Sequence, residues 1–189
     1  MVGAARRAAA PRLADATLAH LVELALPKAR LAVEVGPDPG DDVTFRLAAN
    51  PGGPLLGLAQ VASGGELART MLALRLVLSE APGTLVFDEV DAGVGGAAAI
   101  AVGRALAGLA GQHQVLVVTH LPQVAAFADA QVAITKAEHD EGVTVGASLL
   151  DGVDRVVELS RMLAGRPDSD RARGHAEELL AAAAHERGR

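Results

Sequence analysis

Two short apolar runs constrain this chain more than anything else in it. Leu85-Val86-Phe87 leads directly into Asp88-Glu89, and Val115-Leu116-Val117-Val118 leads directly into Thr119-His120. Between them lies a Gly- and Ala-rich stretch, roughly 96–109, long enough for a helix. Strand, helix and strand in this order form a parallel crossover, and wholly apolar parallel strands are ordinarily covered on both faces. The expected class is therefore α/β, with a mostly parallel sheet flanked by helices. Both polar ends should leave the sheet at the C-terminal edge of the strands, where α/β proteins form ligand crevices.

The remaining elements follow from periodicity and punctuation. Apolar positions 13, 18, 21, 22, 25 and 26 suit an amphipathic helix closed by Pro27. Segments 30–35 and 43–48, joined by the turn-forming run Pro-Asp-Pro-Gly-Asp-Asp at 37–42, predict a β-hairpin. Helices are expected near 65–79 and 96–109, and another opening at Pro122. Strands near 131–135 and 143–149, then helices near 154–163 and 169–183, complete the chain.

Composition excludes several functional classes. In 189 residues there is no Cys, which removes disulfides, thiolate metal sites and Cys nucleophiles. No apolar run approaches the roughly 18 residues of a membrane span, and the basic first residues lack the apolar core of a secretory signal. A cytoplasmic location is expected. The net charge of −6 argues against a nucleic-acid grip by this chain alone. Arg6, Arg7 and Arg12, and likewise Arg161, Arg166, Arg171 and Arg173, sit among acids and read as solvated faces.

Four constellations bear on chemistry. Of Asp88 and Glu89, one carboxylate suits Mg²⁺ and the other a water to be activated, against the plain alternative of a strand ending in solvated acids. His120 supplies a titratable group after the second strand. Ser63-Gly64-Gly65-Glu66 has the spacing of a helix capping box, and its glycines also let an anion approach the helix N-terminus closely. Asp91 opens a glycine-rich loop, Val90-Asp91-Ala92-Gly93-Val94-Gly95-Gly96, that either caps the next helix or passes close to a partner. There is no G-x-x-x-x-G-K-[ST]; the only lysines, Lys28 and Lys136, do not follow such a loop.

In order and spacing, these elements resemble the second half of an ABC-type ATPase head. Ser63 to Glu66 resembles the signature motif, Thr84 to Glu89 the Walker B strand, the segment holding Asp91 the D-loop, and His120 the switch histidine. The stretches VASGGELAR, TLVFDEVDAGVGG and QVLVVTHLPQVAAFAD are similar to the RecN family, SMC-like proteins of bacterial DNA double-strand break repair. The likeness extends to VTFRLAANPGGPL upstream and RVVELSRMLAG downstream.

The resemblance implies an end of a coiled-coil arm with its junction helix over 1–26, and the C-terminal half-head over 27–189. It implies ATP and Mg²⁺ shared with an N-terminal half-head that carries Walker A, and a homodimer of complete heads with ATP between them. DNA would be bound by the complete protein, in the cytoplasm at the nucleoid, with no membrane partner. Asp88 would position Mg²⁺, Glu89 would polarise the attacking water, and His120 would contact the γ-phosphate. Ser63, Gly64 and Gly65 would touch the γ-phosphate held by the opposing subunit, with Glu66 completing that motif, and Asp91 would pair across the dimer. Without Walker A the chain alone should hydrolyse no ATP, and the open edge at Val115 to Val118 should promote self-association. Two other readings are a non-catalytic dimerisation module and part of a transporter ATPase; intact Asp88, Glu89 and His120 weigh against the first, the 93–96 loop against the second.

Overall fold

The structure is a computed structural model that describes residues 2–61, 63–78, 83–139, 142–166 and 169–188. It comprises two compact units, 1–119 and 120–189.

The first unit opens with α1 (Val2–Glu23), which starts well before the apolar stripe that predicts it. Apart from Val2 and Pro11 its first half is Ala, Gly and Arg, too small or too polar to leave an amphipathic signature. Its buried residues, Gly3, Ala10, Ala14, Thr17 and Leu21, still fall on one face, and α1 packs on β1 and α2. Ala25, in the left-handed region at φ 63°, turns the chain out of the helix, and the Leu26 N–H returns to the Leu21 carbonyl at 2.8 Å.

β1 (Arg30–Val35) and β2 (Val43–Ala48) form the expected antiparallel hairpin, with Val33 opposite Phe45. A two-residue strand, β3 (Leu56–Gly57), extends it. The N-terminal arginines are exposed, as expected, and two of them are engaged. Arg6 Nη1 donates to the Gly40 carbonyl (2.7 Å) and Arg7 Nη1 to the Gly36 carbonyl (2.9 Å), while their guanidiniums pair with Asp41 and Asp38. They hold α1 against the hairpin turn. Gly3 allows that approach, since a Cβ there would lie 2.5 Å from the Pro39 carbonyl oxygen.

α2 (Gly64–Val77), β4 (Thr84–Phe87), α3 (Ala97–Ala110) and β5 (Gln114–Val117) follow. Ala62 of the Gly-rich motif, Ser79 at the expected helix end and Pro82 before β4 lie outside the described residues. β4 and β5 are parallel, Leu85 opposite Val115 and Phe87 opposite Val117. Leu85 and Phe87 join a core with Leu21, Leu47, Leu72 and Val102. The other face corrects the expectation of a sheet covered on both sides. Val86 (68% exposed), Leu116 (50%) and Val118 (63%) stand open to solvent. An apolar run can serve a doubly covered strand only when the second covering layer is present. Among the described residues, β5 pairs with no strand but β4, and parallel pairing is confined to this pair.

In the second unit, the helix opening at Pro122 is a single turn, α4 (Pro122–Ala125). β6 (Gln131–His139) and β7 (Gly142–Leu150) form an antiparallel hairpin longer than the predicted strands. Val132 and Ile134 share one face with Val143, Val145 and Leu149, and all five are exposed. α5 (Gly152–Ala164) and α6 (Asp170–Glu186) pack on each other and on α4. Ser169 caps α6, its Oγ accepting from the Ala172 N–H. Among the described residues no helix is long and apolar enough to cross a membrane.

One guanidinium closes the second unit. Arg155 Nη2 lies 3.0, 3.2 and 2.7 Å from the carbonyl oxygens of Ala125, Ala126 and Ala128, satisfying the end of α4. Arg187 reaches the same loop, donating to the Phe127 carbonyl and pairing with Asp129. Replacing Arg155 by Met strips three carbonyls of their donor and should cost about 1–3 kcal/mol in denaturant unfolding. Arg161, in a half-exposed pair with Glu158, should cost under about 1 kcal/mol on the same change.

Candidate functional site

The predicted residues of the first unit meet where α2 begins and β4 ends. Ser63 is the N-cap of α2: its backbone is extended and its Oγ accepts from the Glu66 N–H at 3.4 Å. Glu66 is half-buried, and its carbonyl accepts from the Thr70 hydroxyl at 2.8 Å. These bonds account for Ser63 and Glu66 but leave the two glycines unexplained.

The loop after β4 explains them. A Cβ on Gly64 would collide with the Glu89 carboxylate, and a Cβ on Gly65 would lie 2.7 Å from the Ala92 carbonyl oxygen and 2.9 Å from the Ala92 Cβ. Gly65 therefore admits the chain's own loop backbone, while Gly64 faces the tip of the Glu89 side chain. The Glu89 carboxylate thereby stands at the N-terminus of α2, where the helix dipole favours negative charge. Glu89 has φ 57°, a left-handed conformation uncommon for a residue with a side chain. Its N–H donates to Asp88 Oδ1 at 2.9 Å, and both acids are exposed.

The loop then folds inward. The Ala92 N–H donates to the Glu89 carbonyl (3.0 Å) and the Val94 N–H to the Asp91 carbonyl (3.2 Å). Asp91 is only 2% exposed, and its carboxylate accepts from the Thr119 hydroxyl. That carboxylate ties the loop to the end of β5, and Gly93, Gly95 and Gly96 form the exposed part. The Val118 N–H donates to the Phe87 carbonyl at 3.0 Å, so Asp88 and Thr119 leave the sheet side by side. His120 is exposed and opens the second unit. A groove of about 490 Å³ runs between α2 and β4, lined by Gly64, Met71, Arg75, Val86 and Asp88 among others.

Arg69, which motif reading missed, lies beneath this junction. It is buried, and its Nη1 donates to the Ala92 carbonyl at 2.7 Å. The one signal in the sequence is its place between Glu66 and Leu72, on the part of α2 that the core absorbs.

Among the described residues no cluster of three or more His, Asp or Glu side chains could hold a metal ion. The donor set instead suits part of a shared Mg²⁺ site. Asp88 is an exposed carboxylate with one oxygen engaged by the Glu89 N–H. Mg²⁺ beside a nucleotide is typically held by one or two carboxylates plus phosphates and water.

No protein-family model matches the chain. The DNA repair protein RecN of Streptomyces coelicolor is 48% identical over 203 aligned residues, covering 97% of this chain and 36% of that protein. The RecN proteins of Mycobacterium leprae (48%) and Deinococcus radiodurans (47%) each match over 94% of the chain. This chain is a RecN-like segment. It spans about a third of the length of these relatives: 36%, 35% and 32%. The fold matches SMC heads. A Pyrococcus furiosus Smc head domain with an extended coiled coil has a TM-score of 0.54 at 20% identity, covering 72% of this chain and 34% of that one. The Smc head domain of Pyrococcus yayanosii gives 0.53, also at 20% identity, over 71% and 26%. The RecN-like segment thus adopts the fold of an Smc head domain.

The packing makes a graded prediction. Gly65→Ala drives a Cβ into backbone and should destabilise by about 1–3 kcal/mol. Gly64→Ala meets only the end of the exposed Glu89 side chain, which can rotate away. Chemical denaturation of both variants should rank them in that order.

Proposed function

We propose that this chain is the C-terminal lobe of the head of a RecN-like ATPase that acts in recombinational repair of DNA double-strand breaks. The reading rests above all on the 48% identity to a RecN protein along 97% of the chain. The arrangement of Ser63, Gly64 and Gly65 beside Asp88 and Glu89 supports it. Residues 1–26 are the end of a coiled-coil arm and its junction helix, and 27–189 the half-head. The partners are an N-terminal lobe with Walker A, a second head in an ATP-dependent homodimer, and DNA in the complete protein. The setting is the nucleoid in the cytoplasm.

Phosphoryl transfer is achieved largely by positioning and charge neutralisation. Mg²⁺ and ATP, when bound, supply the phosphoryl group and most of the charge that offsets its oxygens. Asp88 holds the metal at the end of β4, and its bond from the Glu89 N–H orients its carboxylate. Glu89 orients and polarises a water. The N-capped first turn of α2, with Ser63 Oγ and the N–H groups of Gly64 and Gly65, presents donors to a phosphate of the opposing head. Glu66 backs that turn, and His120 contacts the γ-phosphate. Asp91 keeps the loop in shape through Thr119.

The open face of Val86, Leu116 and Val118 is where the Walker A lobe packs. Apolar faces of this kind mark protein contact surfaces. Alone, the chain hydrolyses no ATP, because the main β/γ-phosphate contacts belong to the other lobe. Joined to that lobe, it should turn ATP over, and Glu89→Gln should lower turnover by at least about 100-fold while ATP-bound head dimers accumulate. Steady-state hydrolysis with light scattering measures both. Unchanged turnover in Glu89→Gln contradicts the role given to Glu89.

A further inference from the structure

We propose that Arg69 is a positioning residue: its guanidinium locks the loop that follows β4 onto the first turns of α2 and so sets where Glu89 stands relative to Ser63, Gly64 and Gly65. The geometry is independent of the ATPase reading, whereas the consequence for turnover rests on it.

Arg69 is 5% exposed, and its Nη1 donates to the Ala92 carbonyl at 2.7 Å. That carbonyl oxygen also lies 2.7 Å from where a Cβ of Gly65 would be, so the bond is made where loop backbone and helix backbone nearly touch. Ala92 is tied back to Glu89 by its own N–H, so holding Ala92 holds the turn that puts Glu89 at φ 57°. A residue with a side chain keeps a left-handed conformation only where its surroundings impose it. Asp91 and Thr119 anchor the loop on its other side. The loop is thus fixed between α2 and β5, and Arg69 supplies the link to α2.

Filling space does not require a guanidinium here. The Arg69 Nε is buried without an acceptor. Burial pulls the pKa of the group below its ordinary value, against the opposing effect of the Glu66 charge. An apolar side chain of similar length would fill the volume without that desolvation but would leave the Ala92 carbonyl without this donor. The bond to Ala92 is what Met cannot reproduce and Lys can.

The test uses the chain joined to a Walker A lobe, unsubstituted and as Arg69→Met and Arg69→Lys. Arg69→Met should speed hydrogen exchange at the Ala92 and Val94 amides, with the thermal midpoint lowered by a few degrees at most. It should lower kcat for ATP by ~10–100-fold with KM within about twofold, as expected of misplaced catalytic groups. Arg69→Lys should restore most of both. Unchanged exchange in Arg69→Met overturns the proposal, as does a parallel loss of kcat and thermal stability that Lys does not rescue. If the unsubstituted joined protein hydrolyses no ATP, the ATPase reading fails, and the exchange data alone decide whether Arg69 holds the loop.

Discussion

The backbone of the loop after β4 lies so close to the first turn of α2 that a side chain at Gly65 would strike the Ala92 carbonyl. Much of the first unit's functional geometry follows from this contact. It places the Glu89 carboxylate over Gly64 at the positive end of α2. It turns Asp91 inward to Thr119 and leaves the loop's glycines outside. It also brings the Ser63 cap and the acids at the end of β4 into one neighbourhood, although about 25 positions of chain separate them.

The sheets carry a second constraint. β4 and β5 bury Leu85 and Phe87 but leave Val86, Leu116 and Val118 open, and the β6–β7 hairpin leaves Val132, Ile134, Val143, Val145 and Leu149 open. Each unit thus presents an apolar sheet face that water covers poorly. In our account these faces are surfaces of a larger head, in keeping with a chain that spans about a third of its RecN relatives.

Much of this was legible in the sequence, and the failures have physical causes. β1, β2 and β4 run over the residues that alternation and turn chemistry predict. Turn residues and apolar runs are local signals, and nothing tertiary overrides them here. α1 was half missed because alanine and glycine bury a face without advertising it. β3 is too short to show a period. The Ser63 cap was readable from spacing, but the reason for Gly64 and Gly65 was not, since it depends on a loop that arrives from residues 89–92. The burial of Asp91 and the part played by Arg69 escaped notice for the same reason: each depends on a partner more than twenty residues away.

The central claim is that this chain is one lobe of a two-lobe ATPase head. The most direct measurement is ATP turnover by an equimolar mixture of this chain with a separately produced Walker A lobe of a RecN protein, followed alongside hydrogen exchange at β5. The account predicts no turnover from either piece alone, turnover from the mixture, and slowed exchange at Leu116 and Val118 once the lobes combine. A mixture that stays inactive, with β5 exchanging as fast as before, would contradict it.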